Sequence, residues 1–124
     1  MKDTGLDIYG TSLIVKDDDV KKRPDFVRAY VEGTLEGLRY SRDHQEEALK
    51  ILLKNKPELE PALTTLQLRN ALTEVFLPFE SAQIGLGYMK PDIVEKTVKV
   101  TNEYFDVGRK VAANEVFTNQ FIKR

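Results

Sequence analysis

The sequence predicts a mainly α-helical chain with one or two short strands. Three observations predict it. Apolar residues recur at helical spacing along four stretches, as in helices that turn one face to a core. Pro24, Pro61 and Pro91 each stand where a first helical turn begins, a position that does not need the missing N–H. Only the run from Leu6 to Val15 has strand composition.

In that run Leu6, Ile8, Leu13, Ile14 and Val15, with Tyr9 and Thr11, are strand-type residues, and Gly10 interrupts them with a bulge, a bend or a close backbone approach. Lys16 to Asp19 reads as a polar turn, with Asp18 or Asp19 capping a short helical turn through Val20. Arg23-Pro24 breaks it. The first long helix starts near Pro24 and buries Val27, Tyr30, Val31, Thr34, Leu35 and Leu38. Gly33 and Gly37, four apart on that helix, let another backbone approach closely. Arg28, Glu32, Glu36 and Arg39 make this packing between soluble elements rather than a membrane dimer.

Ser41 to Asp43 ends that helix. Asp43 with Glu46 has capping-box spacing, so a second helix starts at about His44 and runs to Asn55-Lys56-Pro57. The third has Pro61 in its first turn, Glu58 and Glu60 at its positive end, and a stripe of Ala62, Leu63, Leu66, Leu72 and Val75. Leu77 to Met89 is a loop marked by Pro78, Gly85 and Gly87. The fourth begins near Pro91, lines one face with Ile93, Val94, Thr97, Val98, Thr101 and Phe105, and ends at Gly108. Thr118 caps a short final helix containing Phe121 and Ile122.

The chain has 124 residues, 41% hydrophobic and 31% charged, the size of one domain. Its net charge of -1 argues against a general nucleic-acid binder, which carries a basic excess. With no cysteine there is no disulfide, thiolate zinc site or Cys nucleophile. One histidine, His44, leaves no material for a multi-His metal site, and it reads as an exposed helix-start residue. No metal and no cofactor is expected. Asp17-Asp18-Asp19 lacks the glycine of a calcium loop and reads as a solvated turn. Lys21-Lys22-Arg23 reads as solvated surface, and Gly85-Leu86-Gly87 as a turn, lacking the third glycine of a phosphate loop. No run approaches a membrane span, and the N-terminal residues lack signal-peptide features.

Tyr9, Gly10 and Thr11 stand apart. Hydroxyls and an aromatic ring in a strand-like run are not needed by a core and suit a small-ligand cleft. A single strand also needs a partner for its backbone groups, from further chain or from a second copy.

Tyr9 to Lys16 followed by Arg23-Pro24-Asp25-Phe26-Val27-Arg28-Ala29-Tyr30 resembles the closing part of an ABC-transporter solute-binding protein. The branch is that for thiamine-pyrimidine precursors, sulfonates, taurine and nitrate. Tyr40 with Glu46-Glu47-Ala48, Lys56 to Leu59, Gly85 to Pro91 and Val116 to Phe121 follow in the family's order. Gln45 stands where the family has proline. The resemblance covers about Gly5 to Phe121.

It implies the C-terminal part of a periplasmic-binding-protein-like (type II) α/β fold, an incomplete lobe forming one fragment over residues 1–124. Residues 5–16 would be a strand crossing between lobes, and 24–124 the helical part of the first lobe. The parent would capture a small-molecule solute by hinge closure and deliver it to an ABC permease, without covalent chemistry. It would be periplasmic or an extracellular lipoprotein. Tyr9, Gly10 and Thr11 are the ligand contacts carried over; the family's other ligand-orienting residues have no counterpart here. A rival reading is a stand-alone helical interaction module that forms a homo-oligomer through the 6–15 strand. A pyrimidine-biosynthesis enzyme, known among relatives, needs histidine chemistry that His44 alone does not supply.

Overall fold

A computed structural model describes residues 7–76, 84–106 and 108–123. The fold is mainly helical: α1 (Asp17–Lys22), α2 (Pro24–Asp43), α3 (Gln45–Asn55), α4 (Pro61–Asn70) running into a π turn (Ala71–Phe76), α5 (Pro91–Tyr104) and α6 (Ala113–Val116). Pro24, Pro61 and Pro91 each open their helix, as their fixed φ requires. Helix α2 packs against α1, α3 and the π turn; α3 packs against α4, and α5 against α6.

The strand expected over 6–15 does not form. Among the described residues none is in a strand, and 7–16 runs without turn, bend or ladder. The composition was right for a strand, but a strand is defined by a partner, and the described chain offers none. Leu6 lies outside the described residues.

Several boundaries differ from expectation. Asp18 and Asp19 do not cap α1. They lie inside its first turn, where Asp18 pairs with Lys22 at 2.8 Å and Asp19 with Arg23 at 2.6 Å. No capping box forms at Asp43, whose carboxylate pairs with Arg42 at 2.7 Å; α2 and α3 meet at His44 alone. Helix α5 stops at Tyr104, before Gly108, and the last helix is Ala113–Val116 rather than a Thr118-capped one. Thr118 Oγ1 instead accepts from Gln120 N in a turn, at 3.2 Å.

The core is small. Val27, Leu35, Leu72, Ile93, Val94 and Phe121 are its buried apolar residues. The two faces of α2 divide as the spacing predicts for Val27 and Leu35, but Tyr30 is exposed. Of the stripe expected on the third helix, Leu72 is buried, but the part within α4 is not. Leu63 and Leu66 are exposed at 54% and 59%, while Thr64 is buried with its hydroxyl donating to Glu60 O at 2.6 Å. The apolar pattern of α4 faces a side that no described element covers; the side chain of Val75 lies outside the described residues. Phe105 is likewise exposed.

No close α-helical packing joins α5 to α2. The link is made by the loop 84–90 and the tail 117–123. Phe121 is buried with the Arg28 guanidinium 5.7 Å from its ring centre, Lys123 Nζ lies 2.7 Å from Glu32 Oε1, and Gly87 abuts Leu35 and Ile122.

Candidate functional site

The residues with the most specific long-range bonding gather around Tyr9. Its backbone N–H donates to Thr97 Oγ1 on α5 at 3.0 Å, and its hydroxyl accepts from Lys90 N at 2.7 Å. Thr97 is held in turn, donating to Ile93 O at 2.7 Å. The loop before α5 is pinned from the other side: Asn119 Oδ1 accepts from Met89 N at 3.0 Å, and Asn119 Nδ2 donates to Met89 O at 2.8 Å. Asn119 thus acts as a substitute strand edge, meeting both polar groups of one residue.

Gly87 sits in the same loop at φ 84, where an L side chain is strained. A methyl there would lie 3.1 Å from Ile122 Cδ1 and from Leu35 Cδ2, so the close approach as well as the φ requires glycine. Asn102 repeats the Asn119 device: Nδ2 donates to Val111 O at 2.9 Å and Oδ1 accepts from Val111 N at 3.1 Å, holding Val111 against α5.

The three residues singled out from sequence are thus placed differently. Tyr9 is half-buried and its hydroxyl is bonded to the α5 start; Gly10 and Thr11 are exposed on the connector beyond it. These bonds bring Tyr9 to Lys90 and Thr97, and do not fold Gly10 or Thr11 onto any described helix. Sequence reading missed Asn102 and Asn119. The signal available was weak: a polar amide on the half-buried side of a helix, and another just after a turn.

Two solvent-open grooves lie elsewhere. One, of about 570 Å³, runs between α2 and α3 past Gly33, Gly37, Tyr40, Ala48, Ile51 and Leu52. At its end Tyr40 and His44 lie with ring centres 4.4 Å apart, and the Tyr40 hydroxyl donates to Glu47 Oε2 at 2.8 Å. That bond to a carboxylate pushes the Tyr40 phenol above its ordinary range. The other, of about 480 Å³, lies between α5 and the 110–113 segment. Gly33 and Gly37 meet no atom within 4 Å of an added Cβ, so the close backbone neighbour expected over them is absent from the described residues.

The carboxylates of Glu60 and Glu115 are engaged locally. Glu60 accepts from Leu63 N at 2.5 Å and Ala62 N at 2.9 Å, and these bonds hold its carboxyl below the ordinary glutamate range. Glu115 is lowered by the bond from Ala112 N and then by Arg109. The described residues contain no cluster of three His, Cys, Asp or Glu side chains placed to hold a metal ion, and no helix long and apolar enough to cross a membrane.

No protein-family model and no solved structure matches the chain. Among curated proteins it is similar to one named Riboflavin-binding protein RibY, from Chloroflexus aurantiacus, with 26% identity over 121 residues. The alignment covers 94% of this chain and 34% of the relative. The chain therefore spans about a third of the length of the curated relative it matches.

Proposed function

We propose that this chain is the C-terminal part of a solute-binding protein that captures a small organic solute for an ABC importer, with an aromatic heterocycle of the flavin type as the first ligand class to test. The observation that carries the reading is the similarity to a riboflavin-binding protein along 94% of the chain. The ordered motifs from Tyr9 to Phe121 point the same way.

The surface supports it. The chain exposes 9728 Å², whereas a compact monomer of 14.2 kDa exposes about 6,800 Å². The surplus includes the outward apolar residues of α2 and α4. In this reading they pack on the remainder of a longer polypeptide. The grooves are open, and a flavin-sized ligand is held in an enclosed cleft. The cleft is therefore completed by the other two-thirds of such a protein, and closes by hinge motion between its lobes.

Within that cleft, Gly10 and Thr11 contribute accessible backbone and hydroxyl groups. The Tyr9 hydroxyl, accepting from Lys90 N, keeps its proton to donate. Tyr9 also ties the approach to the cleft onto α5, so ligand closure and α5 position are coupled through one side chain. Nothing in this reading needs proton transfer or a nucleophile.

The test is a chimaera in which this chain replaces the matched third of RibY. Riboflavin fluorescence should be quenched on binding to the chimaera and unaffected by the 124-residue chain alone. A cooperatively folded chimaera that binds neither riboflavin nor a pyrimidine precursor, sulfonate, taurine or nitrate would sink the reading. So would a ligand-induced rise in the melting temperature of the isolated chain, since the cleft would then be complete without further polypeptide.

A further inference from the structure

The described helices fall into two groups by their contacts. Helix α2 packs with α1, α3 and the π turn, and α3 with α4, whereas α5 packs with α6 and with no other described helix. Tyr9, bonded to Lys90 N and Thr97 Oγ1, belongs with α5. Residues 10–15, which lead from Tyr9 to α1, make no hydrogen bond. Among the described residues, what joins the groups is the segment 117–123 and the loop it grips. At one end Asn119 meets both backbone groups of Met89, two residues before α5, at 3.0 and 2.8 Å. Further along, Phe121 is buried with the Arg28 guanidinium 5.7 Å from its ring centre, and Gly87 abuts Ile122 and Leu35. Lys123 Nζ lies 2.7 Å from Glu32 Oε1, an atom shut off from solvent. Arg28, Glu32 and Leu35 stand at i, i+4 and i+7, so the segment crosses one face of α2.

We propose that residues 117–123 are a strap that latches α5 and α6 onto α2, and that its release lets the two helix groups move apart while their helices persist. The two grips differ in kind. On the α5 side two hydrogen bonds fix the strap to the backbone of Met89. On the α2 side Phe121 is the single buried strap residue, and the ion pair beside it has an exposed lysine. Elements held by few buried contacts are the ones that open locally, so the strap lifts from α2 and stays with α5. Tyr9 travels with α5. Release therefore displaces Tyr9, and with it Gly10 and Thr11, relative to α2. The proposal rests on contacts within the chain and needs no ligand.

The test is the distance between the two groups, measured by pulsed electron paramagnetic resonance. The chain has no cysteine, so Lys50→Cys on α3 and Lys96→Cys on α5, both exposed, take one spin label each. Phe121→Ala removes the buried grip and should shift the ratio of closed to open chain by about a hundredfold or more, adding a second, longer distance. Helical circular dichroism should be unchanged. Lys123→Glu faces Glu32 with a like charge and should move the distances the same way by less, an effect that added salt reduces. Lys123 is exposed, so this variant folds. A single distance unchanged in both variants overturns the proposal. So does a second distance that appears in Phe121→Ala only together with loss of helical signal, because the two groups then form one cooperative core. Riboflavin quenching by the chimaera depends on neither result, so the two readings fail separately.

Discussion

One added methyl group should have opposite effects at two glycines. Gly37 lies inside α2, and a Cβ built there meets nothing within 4 Å. An interior helical glycine costs ~0.8–1.0 kcal/mol relative to alanine, mostly through the freedom of the unfolded chain. Gly37→Ala should recover that amount. Unfolding entropy of about 2.1 cal/mol/K per residue, over 124 residues, converts ~1 kcal/mol into a rise of roughly 4 °C in Tm. At Gly87 the φ is 84, and the new methyl lies 3.1 Å from both Ile122 Cδ1 and Leu35 Cδ2. The left-handed backbone costs an alanine ~1–2 kcal/mol before either side chain has moved. Gly87→Ala should therefore lower Tm by roughly 4–8 °C. Thermal unfolding followed by far-ultraviolet circular dichroism, at a concentration where the chain is monomeric, measures both. A fall in Tm for Gly37→Ala would refute the open face of α2, because only a close neighbour makes that methyl costly. A neutral Gly87→Ala would refute the packing of the loop against Leu35.

Three further outcomes are expected. Asn102→Ala removes both bonds to Val111 and should cost ~1–3 kcal/mol, with faster amide exchange at Val111, measured by denaturant unfolding and hydrogen exchange. Tyr9→Phe removes the acceptor for Lys90 N and should cost ~0.5–1.5 kcal/mol, whereas Thr11→Ala, exposed and unbonded, should change stability little. Glu60 has a folded pKa held below its unfolded one, so its stabilisation is present above roughly pH 4.3 and is lost as pH falls through the folded value. Glu60→Gln should flatten that acid limb in urea titrations between about pH 5 and 3, and an unchanged slope would rule out the cap.

The sequence by itself determined the four longer helices, because their causes are local. Pro24, Pro61 and Pro91 open α2, α4 and α5 through a fixed φ and a donor that a first turn does not use. Spacing placed Val27, Leu35, Ile93 and Val94 on buried faces. The tertiary structure decided what depends on a neighbour. Leu63 and Leu66 have the spacing of a core stripe, yet burial needs an element opposite, and none of the described chain lies there. Thr11 to Val15 have strand composition, yet a ladder needs a second backbone row, and residues 10–15 have none. Tyr9 was legible as a special residue, but its bond to Lys90 joins positions 81 apart in sequence, a distance over which no periodicity carries information. Asn102 and Asn119 were illegible for the same reason: an amide that satisfies a distant backbone has no local pattern to distinguish it from a solvated one.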